Sequence, residues 1–176
     1  MTVSVNRLLS QNRVYTEYCI LKSPKINASM TPDDIVVVTT GLIDAVRYRR
    51  DTDILAFVIA HELAHYKLHH IRNHIALATG ISVGLAVANV FVPFVGLADH
   101  LINPLATKAL SRSQELDADR EAIEILRNAN WNFPETIGVK ALTWLKDTNG
   151  EKSTFILWAT HPAAADRIEN IKKITP

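Results

Sequence analysis

The sequence predicts an α+β domain, mostly helical, with a small sheet near the N-terminus. Two runs rich in β-branched and aromatic residues, 13–21 and 35–40, lie in the first quarter of the chain. Beyond residue 50 apolar residues fall at helical spacing, punctuated by capping residues and prolines. At 176 residues, a single domain over 1–176 is the natural reading, long enough to bury a real core.

The strand candidates are RVYTEYCIL (13–21) and IVVVTT (35–40), with turn signals between them at Pro24, Asn27, Pro32 and Asp33. A long helix should start at Asp51-Thr52-Asp53, a good N-cap cluster, and run to about Asn73. Ile54, Leu55, Val58, Ile59 and Leu63 give it an apolar face, and basic residues at its far end suit the negative helix terminus. A second helix is expected from about Pro104 to Asn128. Pro134 opens a third, carrying Ile137, Ala141, Leu142 and Leu145. Asn149-Gly150 marks a turn, and Ser153–Trp158 fits strand and helix alike. Pro162 opens a last helix with Ile168 and Ile171 on one face.

The formal net charge is +1, so nothing points to nucleic acid or an acidic partner. Arg47, Arg49 and Arg50 read as a solvated helix end. The single cysteine, Cys19, excludes an intrachain disulfide. The first 30 residues hold no long apolar core, so no secretory signal is visible. The expected location is the cytoplasm or the cytoplasmic face of a membrane, for a whole chain or a piece of a longer one.

From Ile75 to Ala98 there are 24 residues without a charge, roughly 36 Å as one straight helix and enough to cross a bilayer. Ala76, Gly80, Gly84 and Ala88 fall every fourth residue, a spacing that lets helices approach closely. If His65 and a ligand downstream of this stretch share one ion, both ends lie on the same side of any membrane. The stretch must then double back near 89–93. A hairpin over about 75–107 has arms of roughly 24 Å, short of the ~30 Å hydrocarbon core. An apolar hairpin insertion in contact with a membrane is the expectation; packing against the protein or a partner is the alternative.

Residues 61–65 read His-Glu-Leu-Ala-His. Two histidines four apart on a helix lie about 40° apart around its axis, so both can reach one metal ion. Glu62 can reach a water on that ion, the arrangement that zinc hydrolysis of an amide needs. Catalytic zinc takes three protein ligands and keeps one open position. The best downstream candidate is Glu115, in Ser-Arg-Ser-Gln-Glu-Leu-Asp-Ala-Asp (111–119). Glu115 and Asp119 share a helical face. One carboxylate can bind metal while the other accepts a hydrogen bond from a ligand imidazole.

These motifs resemble those of M48 family metallopeptidases. The likeness rests on residues 53–65, on Ser111 to Asp119, and on His70. Thr40-Gly41-Leu42, Thr160-His161-Pro162 and Arg167-Ile168 extend it. The matches run from about Asn27 to Ile168, with an apolar insertion where HtpX-like members carry a membrane hairpin. The resemblance implies a zincin-like (gluzincin) fold and a zinc-dependent endopeptidase acting on unfolded or membrane-proximal polypeptide. It implies one zinc ion held by His61, His65 and Glu115, with Glu62 as catalytic base and Asp119 supporting a ligand histidine. His161 would steady the oxyanion or close the open site as a fourth ligand, and Arg167 would orient nearby carboxylates. In related peptidases an edge strand pairs with the extended substrate, and Asn27, Ala28, Ser29 and Met30 are the candidates for it. The glycines that usually follow this motif are missing, and so are N-terminal membrane helices. His69, His70, His74 and His100 otherwise read as solvated or core histidines.

Two other functions compete. A silent or latent zinc site with an apolar hairpin would make the chain an adaptor or membrane-associated module. A peptide deformylase-like hydrolase would use Cys19 as a ligand, but Glu-Tyr-Cys-Ile-Leu lacks that family's glycine-cysteine context.

Overall fold

The computed structural model describes residues 2–14, 16–31, 35–49, 51–70, 111–148, 161 and 164–174. Its axis is helix α3 (Thr52–Lys67), in which every residue from Ile54 to His65 is buried. Its apolar spacing predicts one buried face, but the helix is enclosed on all sides. Ala56, Ala60 and Ala64 keep its girth small. Asp51 sits at the N-cap but makes no capping hydrogen bond. Its carboxylate pairs with Lys140 Nζ at 2.6 Å instead.

The sheet has three strands, β1 (Tyr18–Leu21), β2 (Ala28–Met30) and β3 (Val36–Thr39), in the order β1-β3-β2. β1 runs parallel to β3 and β2 antiparallel to it. The first strand starts later than 13 because Arg13 takes a positive φ of 53° in the turn after helix α1 (Thr2–Gln11). No sequence signal had marked α1, which buries Leu8 and Leu9. The second predicted strand ends one residue early. Thr39 caps helix α2 (Thr40–Tyr48), its hydroxyl accepting from the Leu42 N–H at 3.3 Å. Arg47 and Arg49 lie exposed at the end of α2, as a solvated helix end.

Helix α4 (Arg112–Asn128) begins at Ser111, not near Pro104. Ser111 is extended and forms a capping box with Gln114, satisfying donors at the helix start. Helices α5 (Pro134–Thr148) and α6 (Ala164–Lys172) match the third and last predicted helices. Gly138 of α5 lets it sit on α3: a β-carbon there would come within 2.9 Å of the Phe57 ring. One buried apolar cluster joins α1, the sheet and α2 to α6 around α3.

The α3 helix also ends six residues before the expected Asn73. Leu68 closes it, and His69 turns left-handed at φ 56°. Among the described residues no helix is long and apolar enough to cross a membrane. The proposed hairpin at 75–107, His74, His100, the turn at 149–150 and the segment 153–158 lie outside the described residues.

Candidate metal centre

Helices α3 and α4 build the site together. On α3, His61 and His65 stand one turn apart with their Nε2 atoms 3.0 Å from each other. On α4, Glu115 and Asp119 face inward, fully buried, while Asp117 and Arg120 pair on the outer surface. Glu115 lies 3.4 Å from each histidine's Nε2. From the chain just before α6, His161 brings Nδ1 to 2.9 Å from Glu115 Oε1 and 3.4 Å from His61 Nε2. Its Nε2 lies 3.4 Å from Glu62 Oε1. Ligand atoms from His61, His65, Glu115 and His161 all fall within 4.8 Å of one another.

The donors suit a metal ion. Ligands about 2.0–2.1 Å from a tetrahedral zinc sit about 3.4 Å apart, close to the separations here. His61 Nδ1 lies 3.0 Å from Asp119 Oδ1, so a neutral His61 carries its proton there and turns a bare Nε2 inward. His65 Nδ1 lies 2.9 Å from His70 Nδ1. The His61 and His65 Nε2 lone pairs and the Glu115 carboxylate, this close together, call for a shared proton or a metal ion between them. Glu115 Oε2 makes an ion pair with Arg167 Nη1 at 2.9 Å yet has no aligned hydrogen bond.

Arg167 braces the far side. It donates to Asp119 from Nε at 2.8 Å and from Nη2 at 2.7 Å, a bidentate fork. Burial alone would raise the Asp119 pKa, but Arg167 outweighs it and holds the carboxyl below its ordinary range. For Glu115, burial is likewise overcome by His161 and the two α3 histidines, and the carboxyl is held well down. Burial and the Arg167 charge pull His61 down, but hydrogen bonds to Asp119 and Glu115 prevail and push it up to about 9. Burial takes His65 down to about 3, leaving it neutral. Glu62 goes the other way: burial pushes its carboxyl up.

The edge strand lies next to Glu62. Thr39 N–H donates to Asn27 O, and Thr31 N–H to Ile35 O. In an antiparallel ladder the bonded pairs alternate, so Ser29 and Val37 form the pair between these. Ala28 and Met30 therefore turn their backbone groups away from β3. The Met30 N–H faces the Glu62 carboxylate and favours its ionised form, against the effect of burial. A cavity opens beside His61, Glu62 and His161, walled by Phe57, Val58 and Leu145.

The family model of Peptidase family M48 matches residues 3–175. The chain belongs to peptidase family M48. No curated protein matches it significantly. M48 peptidases are zinc-dependent, so membership makes the chain a metallopeptidase with a buried cluster able to hold its metal.

The M48 cluster gathers His61, Glu62, His65, Glu115, Asp119, His161 and Arg167 in one place, and β2 brings Ala28 to Met30 beside it. Asn27 precedes the strand; its side-chain Oδ1 is buried without a partner. His69 is exposed and points out of the cluster. Cys19, on the opposite edge strand, takes no part, which removes the ligand a deformylase-like site would need. Two contacts escaped the sequence reading: the Met30 N–H on Glu62, which leaves no mark on side-chain identity, and His70 on His65. The second had a signal in the histidine five residues past the motif.

Proposed function

We propose that the chain is a zinc-dependent endopeptidase in which His61, His65 and Glu115 hold one zinc ion and Glu62 is the catalytic base. The observation that carries this is the convergence of two imidazole nitrogens and a carboxylate from α3 and α4, with Glu62 buried beside them. Bound zinc supplies a Lewis acid that polarises the scissile carbonyl and acidifies water.

The protein's own groups do the rest. Glu62 takes a proton from the attacking water and returns it to the leaving amine. Its buried, raised carboxyl suits a group that must hold that proton between the two steps. His161 Nε2, 3.4 Å from Glu62 Oε1, is placed to donate to the developing oxyanion. Asp119 and Arg167 hold His61 and Glu115 in orientation. The outward backbone groups of Ala28 and the Met30 carbonyl offer an extended polypeptide a strand to pair with. The substrate is therefore unfolded polypeptide. A membrane-proximal setting is supported by the charge-free sequence 75–98 alone, and a role with nucleic acid by nothing in the charge balance.

Glu62→Gln should keep zinc and lower cleavage of a chemically unfolded protein by about 10²–10⁴-fold. Equal cleavage by the purified variant overturns the assignment. A second reading, a latent site, is favoured by His161 Nδ1 lying 2.9 Å from Glu115 Oε1, where it can serve as a fourth ligand. His161→Ala separates them: activity rises if His161 shuts the site and falls about 10²–10³-fold if it stabilises the oxyanion.

A further inference from the structure

The end of α3 is built unusually. On an uninterrupted helix, residue 70 would point about 140° away from residue 65. Here Leu68 donates to the Ala64 carbonyl and His69 to the Tyr66 carbonyl, and His69 then adopts φ 56°. A residue with a β-carbon pays a cost on the order of 1 kcal/mol for that conformation. The reversal swings His70 back under the helix, where it is buried at 8% exposure. Its ring centroid lies 5.1 Å from that of His65, and the two Nδ1 atoms are 2.9 Å apart. Among the described residues, His70 is the only hydrogen-bond partner of His65 Nδ1.

We propose that His70 is a positioning residue for the metal site, accepting a hydrogen bond at Nδ1 from the His65 Nδ1–H and so fixing the ring that presents Nε2 to zinc. The inference rests on the zinc-ligand role of His65 given above. The chemistry leaves one arrangement. A neutral His65 that binds through Nε2 must carry its proton on Nδ1. His70 Nδ1 must then be bare, with the His70 proton on Nε2. Both motif histidines thus have their outer nitrogen held, His61 by the Asp119 carboxylate and His65 by a neutral imidazole. Such outer partners commonly set metal affinity by about 10–100-fold.

The test measures zinc affinity by chelator competition in the parent, His70→Ala and His70→Asn, with His61→Ala as reference. Asn places an acceptor oxygen where His70 Nδ1 lies. The expected result is a loss of about 10–100-fold in His70→Ala, most of it recovered in His70→Asn. His70→Ala binding as tightly as the parent, or His70→Asn as weak as His70→Ala, overturns the proposal. If His61→Ala also binds zinc like the parent, it is the underlying zinc site that has failed. Should His70→Ala not fold, ¹⁵N NMR of the zinc-loaded parent decides. A ¹⁵N–¹⁵N coupling across the hydrogen bond, with the proton on His65 Nδ1, supports the proposal, and its absence overturns it.

Discussion

Asp119 Oδ1 lies 3.0 Å from His61 Nδ1, and the same oxygen lies 2.7 Å from Arg167 Nη2. One carboxylate oxygen thus links the α3 imidazole to the α6 guanidinium, deep inside the protein. It fixes the His61 tautomer and neutralises an arginine that is 2% exposed.

Asp119→Asn should therefore fail twice. The amide can still face His61, but one of its two polar atoms then presents N–H groups to the N–H groups of Arg167. Zinc affinity should fall about 10–100-fold. Stability should drop by about 3–5 kcal/mol, the usual result of breaking a buried ion pair. Chelator competition and urea unfolding measure the two effects. Unchanged zinc affinity would detach Asp119 from the metal site.

If zinc binds as proposed, removing it should destabilise the whole fold, because the proposed ligands come from both α3 and α4. Without zinc, only a proton on His61 is left to hold Glu115 and the two Nε2 atoms within 3.4 Å of one another. With free zinc at 100 times its dissociation constant, binding adds about 2.7 kcal/mol. The melting temperature should fall on chelation and return with zinc but not with magnesium, which prefers an all-oxygen octahedron. A melting curve indifferent to chelator would contradict a metal at this junction.

How far the sequence reached follows from what each feature depends on. His61, Glu62 and His65 were legible because four-residue spacing on a helix fixes a shared face wherever the helix ends up. Glu115 and Asp119 were legible for the same reason. The left-handed turn at His69 was not, since glycine or asparagine usually marks that conformation. Nor was the burial of α3 on every side: Ala56, Ala60 and Ala64 are silent about whether small residues meet neighbours or solvent. Helix α2 was hidden behind Thr39 and Thr40, which read as the end of a strand rather than as a helix cap.

Gly41 is where the fold and the candidate substrate edge are tied together. Its N–H donates to the Ser23 carbonyl at 2.8 Å, and a β-carbon would run into the carbonyl oxygens of Pro24 and Lys25. Those residues lead into β2. The obstacles are backbone atoms, which cannot rotate aside. Gly41→Ala should cost about 1–3 kcal/mol or more and displace the entry to β2. Thermal unfolding would show the loss. In a variant that stays folded, KM should rise while zinc affinity holds. Parent-like stability would mean that the 23–27 segment shifts freely.

The alternation along β2 makes a sharper prediction about substrate. Ser29 pairs its backbone groups with Val37, and the Met30 N–H faces the Glu62 carboxylate. The Ala28 N–H and C=O and the Met30 carbonyl are left to pair with an incoming strand. That strand must meet them with alternate residues, since successive peptide groups point to opposite sides. N-methylation at one residue of a peptide substrate removes a single donor. At a residue whose N–H faces β2 it should weaken binding about 5–10-fold, the worth of one hydrogen bond. At the next residue along it should have little effect. Inhibition constants for a series of peptides, each methylated at one position, should therefore rise and fall with period two. A flat series, or one in which every methyl weakens binding alike, would mean that the substrate does not extend β2.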